Sequence, residues 1–82
     1  MPTASELITP SYWPPRTVDR SMSGPDVAVA QAVLIARGFD LPAVDGNFDT
    51  ATDAAVRRFQ TDHSLVSDGI VGPLTWRALL QR

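Results

Sequence analysis

Asp45-Gly46-Asn47-Phe48-Asp49-Thr50-Ala51-Thr52 and Asp68-Gly69-Ile70-Val71-Gly72-Pro73-Leu74-Thr75 are two copies of one short pattern, set 23 residues apart. Each copy runs from an Asp-Gly turn through an apolar residue to a helix start. Gly46 and Gly69 permit positive φ without steric cost, and the preceding carboxylate can accept backbone N–H bonds two or three residues on. Phe48 and Val71 are then expected to plug into a core. Each copy therefore predicts a rigid corner that aims a helix N-terminus.

The helices follow from these corners. Thr50-Ala51-Thr52-Asp53 has capping-box character, and Ala55, Val56 and Phe59 recur at helical spacing, which predicts a helix over 50–63. Pro73 suits a first helical turn, with Leu74, Trp76, Leu79 and Leu80 behind it, so a last helix runs from 73 to near the C-terminus. Upstream, Ser23-Gly24-Pro25-Asp26 reads as a helix start with Ser23 as cap, opening a helix over 25–37 that stops at Gly38. Gln31 is the single polar residue from Val27 to Ala36, so one face of this helix belongs to the core and another needs a cover. The fold class expected is all-α: a three-helix bundle with little room for a sheet.

Residues 1–22 carry four of the seven prolines and read as a Pro-rich arm or linker, with residues 23–82 as the folded domain. Tyr12-Trp13 within that arm is expected to pack on the domain or on a partner. The chain has 82 residues and no cysteine, so packing alone must hold a core that buries only about 60% of the unfolded surface. Seven Arg and no Lys against nine acids give a net charge of −2 and no broad cationic surface, which argues against nucleic acid. No apolar run approaches a membrane span, and no secretion signal is visible.

The ordered set of Ser23-Gly24-Pro25-Asp26-Val27, Gln31, Leu34, Gly38-Phe39, Asp45-Gly46-Asn47-Phe48, Thr52, Ala55-Val56, Phe59-Gln60, Leu65, Asp68-Gly69-Ile70-Val71-Gly72-Pro73, Thr75-Trp76 and Leu79 resembles the three-helix peptidoglycan-binding domain of bacterial and phage cell-wall hydrolases. The resemblance covers residues 23–82. It implies a non-catalytic module that docks on the murein stem peptide or glycan and targets a linked hydrolase or phage lytic protein, extracellular or wall-associated. Three positions depart from the family's pattern. Asp49 stands where Gly is usual, which predicts a left-handed or bridge backbone there; Ala30 replaces a Leu, and Ser21-Met22 replace a Gly-containing entry.

Asp45, Asn47, Asp49 and Asp53 fall at positions 1, 3, 5 and 9 of a calcium-loop pattern. Thr50 and Val56 stand where such a loop needs Gly and a bidentate Glu, so these residues read as turn and cap groups and no metal or cofactor is expected. His63 is the single histidine, and its neighbour Ser64 lacks a converging base and acid, so no catalysis is expected. Gln31 and Gln60 are expected to bond to loop backbone. The ligand-binding candidates are Asp45, Asn47, Asp68 and Ile70 on the two turns, Arg57 and Arg58 on the second helix, and Trp76, which reads as core or as a sugar-stacking platform. A shallow groove where the two turns approach each other is expected to take a carboxylate. The alternative is a protein-interaction or structural domain of a virion or wall assembly, with its partner on the apolar outer face of the first helix.

Overall fold

The computed structural model describes residues 17–81. Three helices form in chain order: α1 (Pro25–Ala36), α2 (Thr50–Asp62) and α3 (Pro73–Leu80). With two isolated β-bridges as the remaining regular pairing among the described residues, the fold is the all-α arrangement expected. α1 packs against both α2 and α3. The seam is filled by Val27, Ala30 and Leu34 from α1, Val56 and Phe59 from α2, and Trp76 and Leu79 from α3. Phe48 and Val71, one from each Asp-Gly turn, are buried in the same core. Ala30 is fully buried, so the smaller side chain is absorbed by close approach of its neighbours.

The boundary near Ser23 falls inside the packed unit. Val18 is 0% exposed and forms an antiparallel bridge with Val71, its N–H donating at 3.2 Å and its carbonyl accepting at 2.9 Å. Four residues on, Met22 O accepts from Phe48 N–H and Gly24 N–H donates to Gly46 O. Residues 18–24 thus strap both Asp-Gly turns in succession. An apolar residue between polar neighbours gives no period by which a sequence reading could place it. The Tyr12-Trp13 pair lies outside the described residues.

The helix starts differ in detail from expectation. Gly24, not Ser23, is the N-cap of α1, and Ser23 pairs with Asn47 instead. Asp49, not Thr50, caps α2 by accepting from Thr52 N–H at 3.0 Å. Its backbone is extended at φ −97°, ψ −170°, not left-handed or bridge. An N-cap needs that conformation and an acceptor side chain, so Asp suits this place.

Two helix ends close alike. After α1, Phe39 N–H donates to Leu34 O; after α2, Leu65 N–H donates to Gln60 O, the 6→1 bond of a Schellman turn. The left-handed position is Gly38 in the first and Ser64, at φ +58°, in the second. Arg37, just past α1, donates to the carbonyls of Ala78, Leu79 and Gln81 and so caps α3, with its guanidinium 5.7 Å from the Phe59 ring centre. These long-range bonds have no local sequence signature.

Left-handed backbone costs an L-residue about 1–2 kcal/mol, partly offset for glycine by unfolded-chain entropy. Ser64→Gly is therefore expected to raise the melting temperature by about 3 °C, and Ser64→Val to lower it. Calorimetry of the two variants checks the opposite signs.

Candidate functional site

Each Asp-Gly turn is built around one buried glutamine. Gln31 Oε1 accepts from Gly46 N–H at 2.9 Å and Asp45 N–H at 3.1 Å. Its Nε2 donates to Asn47 O at 2.9 Å, Thr52 Oγ1 at 2.9 Å and Asp45 Oδ1 at 3.1 Å. Gln60 repeats this on the second turn: Oε1 accepts from Gly69 N–H at 3.0 Å, while Nε2 donates to Ile70 O, Thr75 Oγ1 and Asp68 Oδ1 at 2.9–3.1 Å. A side-chain amide offers two N–H donors and a carbonyl acceptor on separate atoms, which suits a turn whose N–H and C=O groups point inward. The threonines are the third helical residue of α2 and α3, so each glutamine ties its turn to the helix that follows. Loop backbone is indeed where both side chains bond, as the sequence implied.

The aspartates complete the turns. Asp45 Oδ1 accepts from Asn47 N–H and Asp68 Oδ1 from Ile70 N–H, each at 2.9 Å. The Asn47 N–H, then the Gln31 amide, hold the Asp45 carboxyl below the usual carboxylate range. For Asp68 the Ile70 N–H is the main cause, with Gln60 and the Arg57 charge adding to it against partial desolvation. Of the calcium-pattern residues, Asp45 serves the turn, Asp49 caps α2, and Asp53 pairs with Arg57.

The expected site residues fall in different settings. Arg57 Nε lies 3.1 Å from the Asp53 carboxylate, and Nη1 donates to Ser67 O. This pair lies against Gly69; an added Cβ would meet only the ends of these two flexible side chains, so it is the φ of +75° that calls for glycine. Arg58 is exposed and makes no hydrogen bond or ion pair among the described residues. Trp76 is 0% exposed and part of the core cluster, so the sugar-stacking reading of this residue gives way to the packing one. Asn47 and Ile70 are exposed on their respective turns.

A shallow groove of about 240 Å³ runs along the second turn and the start of α3. Leu65, Val66, Asp68, Ile70, Pro73 and Leu74 supply its side-chain walls, and no residue of the first turn contributes. This groove is lined from the second copy, whereas the sequence reading expects one where the two turns approach each other. The repeat explains why. At the places of Val66, Ile70 and Leu74 the first copy has Ala43, Asn47 and Ala51, which offer little apolar wall. Arg20 also crosses the first copy to donate to Thr50 Oγ1 at 2.8 Å. Val66 is 77% and Leu74 68% exposed, and both line this one concavity. Aligning the two copies marks both residues, whereas helical spacing alone does not tell whether Leu74 faces inward.

Residues 23–79 match the family described as "Putative peptidoglycan binding domain". A zinc D-Ala-D-Ala carboxypeptidase of Streptomyces albus G is 51% identical over 39 residues, 48% of this chain and 15% of that protein. The N-acetylmuramoyl-L-alanine amidase CwlM of Mycobacterium tuberculosis is 45% identical over 56 residues, 68% of this chain and 14% of that protein. The chain spans a third or less of the length of the curated relatives it matches. Among solved structures, the endolysin of Burkholderia phage AP3 superposes with a TM-score of 0.76 at 42% identity, covering 80% of this chain and 25% of that one. The SleB N-terminal domain gives 0.78 at 36% identity, covering 80% and 90%.

Gln60→Leu keeps the volume but strands Gly69 N–H, Ile70 O and Thr75 Oγ1, and is expected to cost about 3 kcal/mol. That corresponds to a fall of about 15 °C in melting temperature. Arg58→Leu should stay within about 0.5 kcal/mol of the parent. Urea unfolding of the two variants provides the comparison.

Proposed function

The chain belongs to the peptidoglycan-binding domain family, and from that premise we propose that it is a non-catalytic module that binds murein and holds a linked hydrolase or phage lytic enzyme at the cell wall. The observation that carries this reading is the groove over residues 65–75, a concave surface with exposed aliphatic walls held by the rigid second turn. Murein offers matching chemistry in the methyl groups of its stem-peptide alanines and its N-acetyl groups. Burying about 60 Å² of such surface contributes about 1.5 kcal/mol, enough for a module that works beside a second domain.

The absence of catalysis in this reading is supported by what the reactive-looking residues do. His63 caps α2, its Nδ1 donating to Phe59 O at 3.0 Å and its ring stacked on Phe59 at 4.0 Å. Neighbouring Ser64 is committed to the left-handed turn. Neither lines the groove.

A second reading has one observation in its favour. Val29 and Ile35 of α1 are exposed on the outer side of that helix, a face a protein partner of a virion or wall assembly could cover. Glutamate at Val29 and Ala36 would disrupt that association and leave murein binding intact.

Ile70→Ser combined with Leu74→Ser removes apolar wall from exposed positions and should leave the fold unchanged. Sedimentation with purified sacculi at low salt is expected to pull down the parent chain, with apparent affinity about tenfold weaker for the double variant. A parent chain that stays in the supernatant would contradict wall binding. Equal retention of both would move the site away from residues 65–75.

A further inference from the structure

Resting on the reading that residues 65–75 form the murein-binding groove, we propose that this groove prefers stem peptides carrying a free primary ammonium group beside an aliphatic segment. In murein such peptides are those whose diamino side chain is not cross-linked. The ligand class follows from charge complementarity. Asp68 is the one charged residue that lines the groove; the other lining residues are aliphatic, glycine, proline or threonine. Asp68 Oδ1 is committed to Ile70 N–H and the Gln60 amide, whereas Oδ2 makes no hydrogen bond among the described residues.

The neighbouring cation does not cancel that charge. Arg57 is already paired with Asp53 at 3.1 Å and bonded to Ser67 O, so Arg57, Asp53 and Asp68 together carry one net negative charge. A ligand carboxylate entering here would meet a like charge, which reverses the anionic preference expected from helix N-termini and arginines alone. An ammonium would meet a carboxylate oxygen with spare acceptor capacity, next to walls that bury the methylene chain behind it. The first turn holds the equivalent Asp45 in the same bonds, but carries Ala43, Asn47 and Ala51 at the places of Val66, Ile70 and Leu74. Cross-linking converts the amine to a neutral amide and removes the attraction. The domain would thereby concentrate its enzyme on loosely linked murein.

Nuclear magnetic resonance titration of the chain with two soluble muropeptides, differing only in a free or an N-acetylated side-chain amine, tests this. Both should shift residues 65–75, the free amine binding about threefold or more tightly at low salt, as expected for a partly exposed ion pair. Asp68→Asn keeps the Oδ1 acceptor and the turn, and should bring the two peptides to equal affinity. The wild-type preference should also shrink on raising salt to about 0.5 M. Equal binding by the wild type, or a preference that survives either Asp68→Asn or high salt, overturns the inference while leaving the groove in place. If neither peptide shifts residues 65–75, the murein-groove reading fails and this inference with it.

Discussion

A buried side-chain amide turned toward an Asp-Gly corner is the interaction on which this small structure depends. With no disulfide and a core of modest size, the chain cannot rely on apolar burial alone to fix its loops. Gln31 and Gln60 solve this by supplying, from the preceding helix, the hydrogen bonds that a loop would otherwise take from water. Each amide also reaches the threonine in the first turn of the next helix, so helix, corner and helix become one unit. Among the described residues no buried side-chain nitrogen or oxygen lacks a partner, which keeps these polar cores from becoming a cost.

Duplication of this unit leaves the two copies free to differ on their outer surfaces. The inward contacts repeat nearly atom for atom, although 14 residues separate Gln31 from Asp45 and only 8 separate Gln60 from Asp68. The outward residues diverge. The first copy carries small and polar side chains and is crossed by Arg20 and the 22–24 segment. The second carries Val66, Ile70 and Leu74 around a concavity. One corner serves the architecture, and the other presents a surface on the same rigid frame, an arrangement suited to recognition with little ordering cost on binding.

Most of the frame is legible in the amino-acid sequence because its signals are local. The Asp-Gly turns, Pro73 at a helix start and the spacing of Ala55, Val56 and Phe59 place α2 within a residue of its observed ends and α3 at its observed start. What is not legible depends on long-range partners. Arg37 looks like an ordinary last-turn cation yet caps a helix more than forty residues away. Val18 sits in proline-rich surroundings yet pairs with Val71. Asp49 was expected in a strained conformation from its place in the pattern, and its real task as an extended N-cap follows from which N–H groups α2 leaves open. The site is harder still. Helical spacing cannot tell whether Trp76 or Leu74 faces inward, because both lie beside core positions; packing of α3 against α1 buries the first and exposes the second.

If the glutamine amides hold the corners, the loop amides that they bind should behave as core amides. Native-state hydrogen exchange at Gly46 and Gly69, whose N–H groups donate to Gln31 Oε1 and Gln60 Oε1, reads this directly. The account predicts exchange as slow as that of the Phe59 amide in the middle of the bundle, with both glycines opening only when the whole domain unfolds. Exchange at these glycines as fast as at an exposed loop amide would contradict it.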